Sequence, residues 1–106
     1  MKAIILCSWG ATSSSLAKNV MDEAKKRNLD ITVDSGGTGE FKKKAEEYTV
    51  ALLEPQVRHL KKEIEEAASK YGIPVELVNM QAFGMMDGSK VLDQILELAK
   101  KAKPRS

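Results

Sequence analysis

The chain has 106 residues, of which 42% are hydrophobic and 30% charged, and its formal net charge is +2 at pH 7. This length fits one domain and is too short for two, so we expect a single domain over residues 1–106. The small excess of basic residues argues against a nucleic-acid-binding protein that works through bulk charge. With one cysteine and one histidine, neither a disulfide nor a zinc-type ligand set is predicted. The apolar run before Cys7 is too short for a signal peptide or a membrane span.

Four short apolar runs are spaced along the chain, and each is predicted to form a strand. They cover residues 3–7, 29–33, 49–53 and 75–78. The runs at 3–7 and 49–53 are almost continuously apolar instead of alternating with polar residues, which is typical of parallel strands buried on both faces. We therefore predict an α/β fold of three layers. A four-stranded parallel sheet of order 2-1-3-4 would lie between helices, with right-handed crossovers.

Helical periodicity and capping residues predict helices in the segments between these strands. The predicted helices cover residues 13–27, 39–46, 55–71 and 89–102. Thr12 or Ser13 is the expected N-cap of the first helix, and Gly88 or Ser89 that of the last. Asn28 is expected to end the first helix in a left-handed conformation.

Two connections are predicted to be loops, and both follow strands. One is the glycine-rich segment 35–39, and the other is the methionine-rich segment 79–88. In parallel α/β sheets the ligand binds beyond the carboxyl ends of the strands. The residues expected to share that rim are Cys7, Asp34, Glu54, Pro55 and Asn79.

The segment from Cys7 into the first helix carries the strongest chemical signal in the sequence. The predicted anion-binding loop consists of Ser8, Trp9, Gly10, Ala11, Thr12, Ser13 and Ser14. Backbone amides of such a loop and of a helix N-terminus can hold a tetrahedral anion and favour a thiolate. Lowering a thiol pKa from about 8.5 to about 7 takes about 2 kcal/mol. Because a helix terminus commonly supplies about 0.3–1 kcal/mol, several loop hydrogen bonds would have to contribute.

Three interpretations of Cys7 are open from the residues alone. Free cysteines are often buried and inert, in which case the chain would be a non-catalytic interaction module. A cysteine phosphatase or an arsenate-reductase-like enzyme would need an arginine that closes the loop around the phosphate. The usual spacing puts that arginine at position 13, where this chain has Ser13. A phosphoryl carrier must hold the group and protect it from water, and a neutral loop rich in amides suits that task better.

Three motifs together carry a family resemblance over the full length of the chain. The first is the apolar strand that leads into Cys7-Ser8-x-Gly10 and a turn rich in serine and threonine. The second is Glu54-Pro55-Gln56-Val57, and the third is Phe83-Gly84-x-x-Asp87-Gly88 before the last helix. In these motifs the chain resembles the IIB components of the phosphoenolpyruvate-dependent sugar phosphotransferase system, in the lactose/cellobiose (diacetylchitobiose) family.

The resemblance implies a protein-cysteine phosphotransferase that acts in sugar uptake. Cys7 would accept a phosphoryl group from a histidine of a IIA protein and pass it to a sugar held by the membrane IIC transporter. The loop would cradle the phosphate, and Pro55, Gln56 and Phe83 would lie at the rim or contact a partner. Trp9 departs from the small residue expected there. No cofactor is implied, and we expect a cytoplasmic monomer that neither binds nucleic acid nor inserts into the membrane. The resemblance does not distinguish among cellobiose-like, lactose-like and chitobiose-like sugars as the substrate.

Overall fold

The structure of the protein, a computed structural model, describes residues 1–7 and 10–102, with the backbone alone for 10–14. The strands are β1 (Lys2–Leu6), β2 (Thr32–Gly36), β3 (Val50–Leu53) and β4 (Val75–Leu77). The α-helices are α1 (Gly10–Lys26), α2 (Thr38–Lys44), α3 (Lys61–Ser69), α4 (Met80–Gly84) and α5 (Gly88–Ala99). Two short 3-10 segments, Ala45–Glu47 and Pro55–Leu60, precede β3 and α3.

The four strands form one parallel sheet in the order β2-β1-β3-β4, which confirms the predicted topology. At the carboxyl end of β1, Leu6 is in register with Gly36 of β2 and Leu53 of β3. Leu53 is in turn in register with Leu77 of β4. The ends of all four strands therefore meet at one edge of the sheet.

Two apolar clusters cover the two faces of the sheet. Ile5 and Leu52 belong to the cluster formed with α1, α4 and α5, whereas Leu6 and Leu53 belong to the cluster formed with α2 and α3. Successive residues of one strand thus enter opposite cores. This burial on both faces explains the continuous apolar runs of the sequence and confirms the predicted three layers.

The second strand was predicted at 29–33 but lies at Thr32–Gly36. It forms an edge of the sheet, where polar residues such as Asp34 and Ser35 can be half-buried and still pair with β1. Leu29 and Ile31 pack against the first core from the preceding connection, so their apolar character does not mark a strand. The predicted loop 35–39 is also wrong, because β2 continues to Gly36 and α2 begins at Thr38.

The first helix begins at Gly10, before the predicted start at 13. Thr12 and Ser13 therefore lie inside its first turn, and the prediction of either as N-cap is wrong. Serine and threonine are only moderately unfavourable in a helix, and the first amides of a helix lack intrahelical partners in any case, so these residues do not delay its start. The helix ends as predicted, with Asn28 at a φ of 59°.

The single helix predicted over 55–71 is divided. Pro55–Leu60 forms a 3-10 segment in which Val57 departs from helical geometry (φ −114°, ψ 17°), and α3 follows from Lys61. Val57 is buried in the second core, so its packing and the 3-10 turn reorient the chain before the regular helix begins. Gly72 follows α3 with a φ of 67°.

The predicted loop 79–88 contains the short helix α4. The Asn79 side chain caps this helix by accepting a hydrogen bond from the amide of Ala82 at 2.9 Å. The Asp87 carboxylate accepts from the amide of Lys90 at 3.1 Å, so Asp87 is the N-cap of α5 and the predicted cap at Gly88 or Ser89 is wrong by one or two residues. Among the helices of the described residues, none is long and apolar enough to cross a membrane.

Candidate active site

Cys7 directly follows β1 at the carboxyl edge of the sheet. Its amide donates a hydrogen bond to the carbonyl oxygen of Gly36 at 3.0 Å, so the β1–β2 ladder continues through this residue. The side chain is buried, with 2% of the residue exposed. The backbone of Cys7 is therefore fixed by the sheet, and its thiol is covered in this state of the protein.

Helix α1 begins at Gly10, a few residues beyond Cys7, and its first turn contains no acidic residue. The unpaired amides and the partial positive charge of a helix N-terminus favour a bound anion. Of the predicted loop, Ser8 and Trp9 lie outside the described residues, and Gly10–Ser14 form the first turn of α1. The amides of residues 10–14 therefore belong to the first turn of a long helix, and the open loop predicted through Ser14 is wrong in its extent.

Most of the predicted rim residues come together at the carboxyl edge. Cys7, Glu54 and Asn79 follow β1, β3 and β4 respectively, and Pro55 begins the segment after β3. Asp34 is the exception, because β2 extends two residues beyond it and Asp34 pairs in register with Ile4.

Asp34 belongs to a polar cluster away from the rim. Its carboxylate accepts a hydrogen bond from the Tyr48 hydroxyl at 2.8 Å and lies 3.5 Å from the Lys2 ammonium. Burial and the hydrogen bond to Asp34 raise the pKa of the Tyr48 phenol above its ordinary value. The cluster holds the edge strand β2 to the segment before β3 and has no part in the candidate site.

Glu54 is the rim residue whose chemistry the sequence reasoning missed. Its amide donates to the carbonyl oxygen of Leu6 at 3.0 Å, and 0% of the residue is exposed. Within the described part of the chain, neither carboxyl oxygen has a hydrogen-bond partner. Burial raises the pKa of this carboxyl group from its ordinary value of 4.5 to about 7. The available signal was an acidic residue that closes an otherwise apolar strand.

The three candidate contact residues differ in their exposure. Pro55 is half-buried at the first position of the 3-10 segment, and Gln56 next to it is exposed. Phe83 is half-buried on α4 and packs against the first core, so part of its role is structural. Met80 and Met85 at either end of α4 are 62% and 65% exposed.

This fold and site define a class of protein. Its members are small parallel α/β domains with a cysteine between the end of a strand and the N-terminus of a helix. The family model described as PTS system, lactose/cellobiose-specific IIB subunit, matches residues 2–94. The chain therefore belongs to that family, as the sequence motifs predicted, and is a IIB component of a sugar phosphotransferase system.

Individual relatives agree with this assignment. The oligo-beta-mannoside-specific EIIB component of Bacillus subtilis (strain 168) is 33% identical over 99 residues, which span 92% of this chain and 96% of the relative. The galactose-specific EIIB component of Lactococcus lactis subsp. cremoris (strain MG1363) is 34% identical over 102 residues, and the match covers 86% of this chain and 90% of the relative.

Solved structures give the same result for the fold. The lactose-specific IIB domain from Streptococcus pneumoniae has a TM-score of 0.84 and 26% identity, over 92% of this chain and 96% of that domain. The cellobiose-specific IIB protein from Borrelia burgdorferi has a TM-score of 0.79 and 28% identity, over 99% and 96% of the two chains. Each of these similarities extends over more than nine-tenths of the chain.

Proposed function

We propose that this protein is a phosphoryl carrier in sugar uptake and that Cys7 is the residue that carries the phosphoryl group. The observation that supports this most directly is the position of the thiol at the carboxyl edge of the sheet, close in the chain to the entrance of α1, in a member of the IIB family. The donor would be a phosphohistidine of a IIA protein. The acceptor would be a hydroxyl group of a sugar bound to a membrane IIC transporter.

The two transfers balance as successive displacements at phosphorus. In the first, the Cys7 thiolate attacks the phosphorus atom, the S–P bond forms and the N–P bond to the donor imidazole breaks, with a proton taken up by the departing nitrogen. In the second, the sugar oxygen attacks, its proton leaves, the S–P bond breaks and the thiolate returns. The amides at the start of α1 stabilise the negative charge of the bound phosphoryl group.

The burial of Cys7 sets a condition on both transfers. At 2% exposure, the residue offers no open path to an incoming phosphorus atom. The sulfur must therefore be uncovered when a partner docks, and the same cover protects the phosphocysteine from water between transfers. A carrier needs that protection, whereas a phosphatase needs water at this place.

A phosphatase finds no comparable support in the chain. The clamp arginine would stand at position 13, and that position is a serine in the first turn of α1. We propose instead a cytoplasmic protein that works with IIA and IIC partners on a sugar of the class for which its relatives are named. Those relatives include oligo-beta-mannoside-, galactose- and cellobiose-specific components.

The proposal is tested by supplying phosphoenolpyruvate, the general phosphotransferase proteins and candidate IIA proteins, and weighing the intact chain. The wild-type protein should gain the mass of one phosphoryl group, and the Cys7→Ser variant should gain none under the same conditions. Labelling of Cys7→Ser at the wild-type level would refute the carrier role of Cys7. Steady hydrolysis of an aryl phosphate by the wild-type protein would favour the phosphatase alternative.

A further inference from the structure

Glu54 lies beside Cys7 at the edge where the phosphoryl group is proposed to bind. Leu6 and Leu53 are in register on the neighbouring strands β1 and β3, so the residues that follow them, Cys7 and Glu54, occupy adjacent positions. The hydrogen bond from the Glu54 amide to the Leu6 carbonyl continues the ladder to this point. Neighbouring strands are about 4.8 Å apart, so Cys7 and Glu54 are neighbours across the ladder, although no hydrogen bond joins the thiol to the carboxyl group in this state.

The two side chains also belong to the same face of the sheet. Side chains alternate between the faces along a strand, so Cys7 follows Ile5 and Glu54 follows Leu52. Ile5 and Leu52 both lie in the core cluster that contains α1. Glu54 keeps extended backbone geometry (φ −73°, ψ 155°), so this alternation holds through its position. Both groups therefore face the side of the sheet on which α1 begins.

The state of the Glu54 carboxyl group calls for an explanation. The residue is fully buried, and neither of its oxygens has a hydrogen-bond partner among residues 1–7 and 10–102. A buried polar group without a partner destabilises a folded protein, and such groups are rare outside functional sites. An apolar residue at the end of β3 would avoid this cost.

Other titratable groups around Glu54 are already engaged or exposed. Those on the neighbouring elements include Lys18 of α1, Arg58 and His59 of the 3-10 segment, Glu76 of β4 and Asp87 at the start of α5. Glu76 accepts a hydrogen bond from Gln94, and Asp87 caps α5. Lys18, Arg58 and His59 are exposed. The raised pKa of Glu54 has burial as its cause, so the group can change protonation state near neutral pH without a competing ion pair.

We propose that the Glu54 carboxyl group accepts the proton of the Cys7 thiol when the phosphoryl group arrives and returns it when the group leaves. In the first step, docking of the donor uncovers the thiol and brings it against the Glu54 carboxylate, the proton moves from sulfur to the carboxylate, and the thiolate attacks phosphorus. The neutral acid then donates a hydrogen bond to a phosphoryl oxygen. When the phosphoryl group leaves, the released sulfur recovers the proton from Glu54. No further reactant is needed, and the inference rests on the carrier function proposed above.

The protonation state also matches the charge of the intermediate. A phosphocysteine carries up to two negative charges, and an ionised carboxylate at the adjacent register position would repel it. A carboxyl group that is neutral while the phosphoryl group is bound avoids this repulsion. Its ionised form would be present only before the thiol proton is transferred.

The test compares phosphorylation rates of wild type, Glu54→Gln and Glu97→Gln between pH 5.5 and 9, at limiting IIA donor. Glu97 is an exposed glutamate and serves as the matched control. Glutamine keeps the shape and can donate a hydrogen bond, but it cannot take up the proton. We expect Glu54→Gln to be slower by at least about tenfold near pH 7 and to move the inflection of the profile to higher pH. At pH 9, where the thiol ionises without help, its rate should approach that of wild type.

The outcomes separate this inference from the function on which it rests. A Glu54→Gln profile that coincides with wild type, or that is lowered by the same factor at every pH, would overturn the role of Glu54. Circular dichroism and thermal unfolding of each variant show whether it is folded, and a Glu54→Asp variant tests whether a shorter acid partly restores the profile. If wild type acquires no phosphoryl group, or Cys7→Ser acquires it equally, the carrier function itself fails.

Discussion

Gly88 packs so closely against α1 that a Cβ atom built on it would lie 2.4 Å from the carbonyl oxygen of Asn19. The obstacle is helix backbone and cannot rotate away. The Asn19 side chain adds a second tie, since its Nδ2 donates to the carbonyl oxygen of Met86 at 3.0 Å. The glycine of the Asp-Gly motif is therefore required by the contact between α1 and the start of α5.

We accordingly expect Gly88→Ala to destabilise the protein by about 1–3 kcal/mol, because α5 must move away from α1. Urea unfolding at pH 7 measures this. The matched control is Gly84→Ala, since a Cβ atom at Gly84 would meet nothing within 4 Å. Gly84→Ala should stay within about 0.5 kcal/mol of wild type. Equal stability of the two alanine variants would contradict the close helix contact.

The buried Glu54 carboxyl group makes stability depend on pH. Its pKa rises from 4.5 to about 7 on folding, so the folded protein binds this proton more tightly than the unfolded chain. The contribution to the free energy of unfolding is fully present below pH 4.5 and is lost as pH rises through 7. Its full size is about 3 kcal/mol.

Substitution of this group isolates that contribution. Glu54→Met should be more stable than wild type at pH 8, by about 1–3 kcal/mol, and the difference should shrink toward pH 5. Urea unfolding at several pH values measures the difference, and the Glu97→Gln variant should follow the wild-type curve. A difference that does not change with pH would show that Glu54 titrates normally in the folded protein.

Arg27 joins the carboxyl end of α1 to α5. Its guanidinium donates to Glu23 at 3.2 Å, to Asp93 at 2.7 Å and to the Ser89 hydroxyl at 2.7 Å. We expect Arg27→Ala to lower the free energy of unfolding only slightly, since the pairs are partly exposed and screened by solvent. Arg27→Lys should recover only part of this loss, because a lysine cannot reproduce the forked geometry. A loss that is unaffected by added salt would argue against the ionic part of this interaction.

The Tyr48 hydroxyl stabilises the edge strand through Asp34. Tyr48→Phe removes the 2.8 Å hydrogen bond and leaves the ring in the second core. We expect a loss of about 1–2 kcal/mol in thermal or urea unfolding at pH 7. Because the partner is a carboxylate, the loss should be smaller in an Asp34→Asn background, where the acceptor is neutral. If Tyr48→Phe lowers the free energy of unfolding by the same amount in the Asp34→Asn background as in wild type, the hydrogen bond is not charge-assisted.

The sheet was predictable from the sequence because its strands are buried on both faces. Continuous apolar runs such as Val50–Leu53 leave little choice of structure, and the parallel arrangement follows from them. The strand at the edge was misplaced because its pairing with β1, and not its hydrophobicity, fixes its position. Asp34 and Ser35 could not reveal that from composition.

The candidate site was predictable in outline and not in detail. Cys7 marks the end of β1 in the sequence, and the structure confirms that position. The start of α1 at Gly10 was missed because small and hydroxylated residues suit a loop and a first helical turn alike. The acidic residue that closes β3 is visible in the sequence. Its position beside Cys7 follows from the register of β1 and β3, which no local pattern in the sequence contains.

The proposed function requires a phosphoryl group bound to the sulfur of Cys7, and the position of that group in the chain can be measured directly. The protein should be phosphorylated with IIA donor and phosphoenolpyruvate, digested with trypsin near neutral pH, and analysed by fragmentation of peptide 3–18. We predict that the added mass lies on Cys7 and that it disappears when the sugar and its IIC transporter are added. Phosphate on a serine or threonine of residues 8–15 with Cys7 unmodified would contradict the carrier role of Cys7.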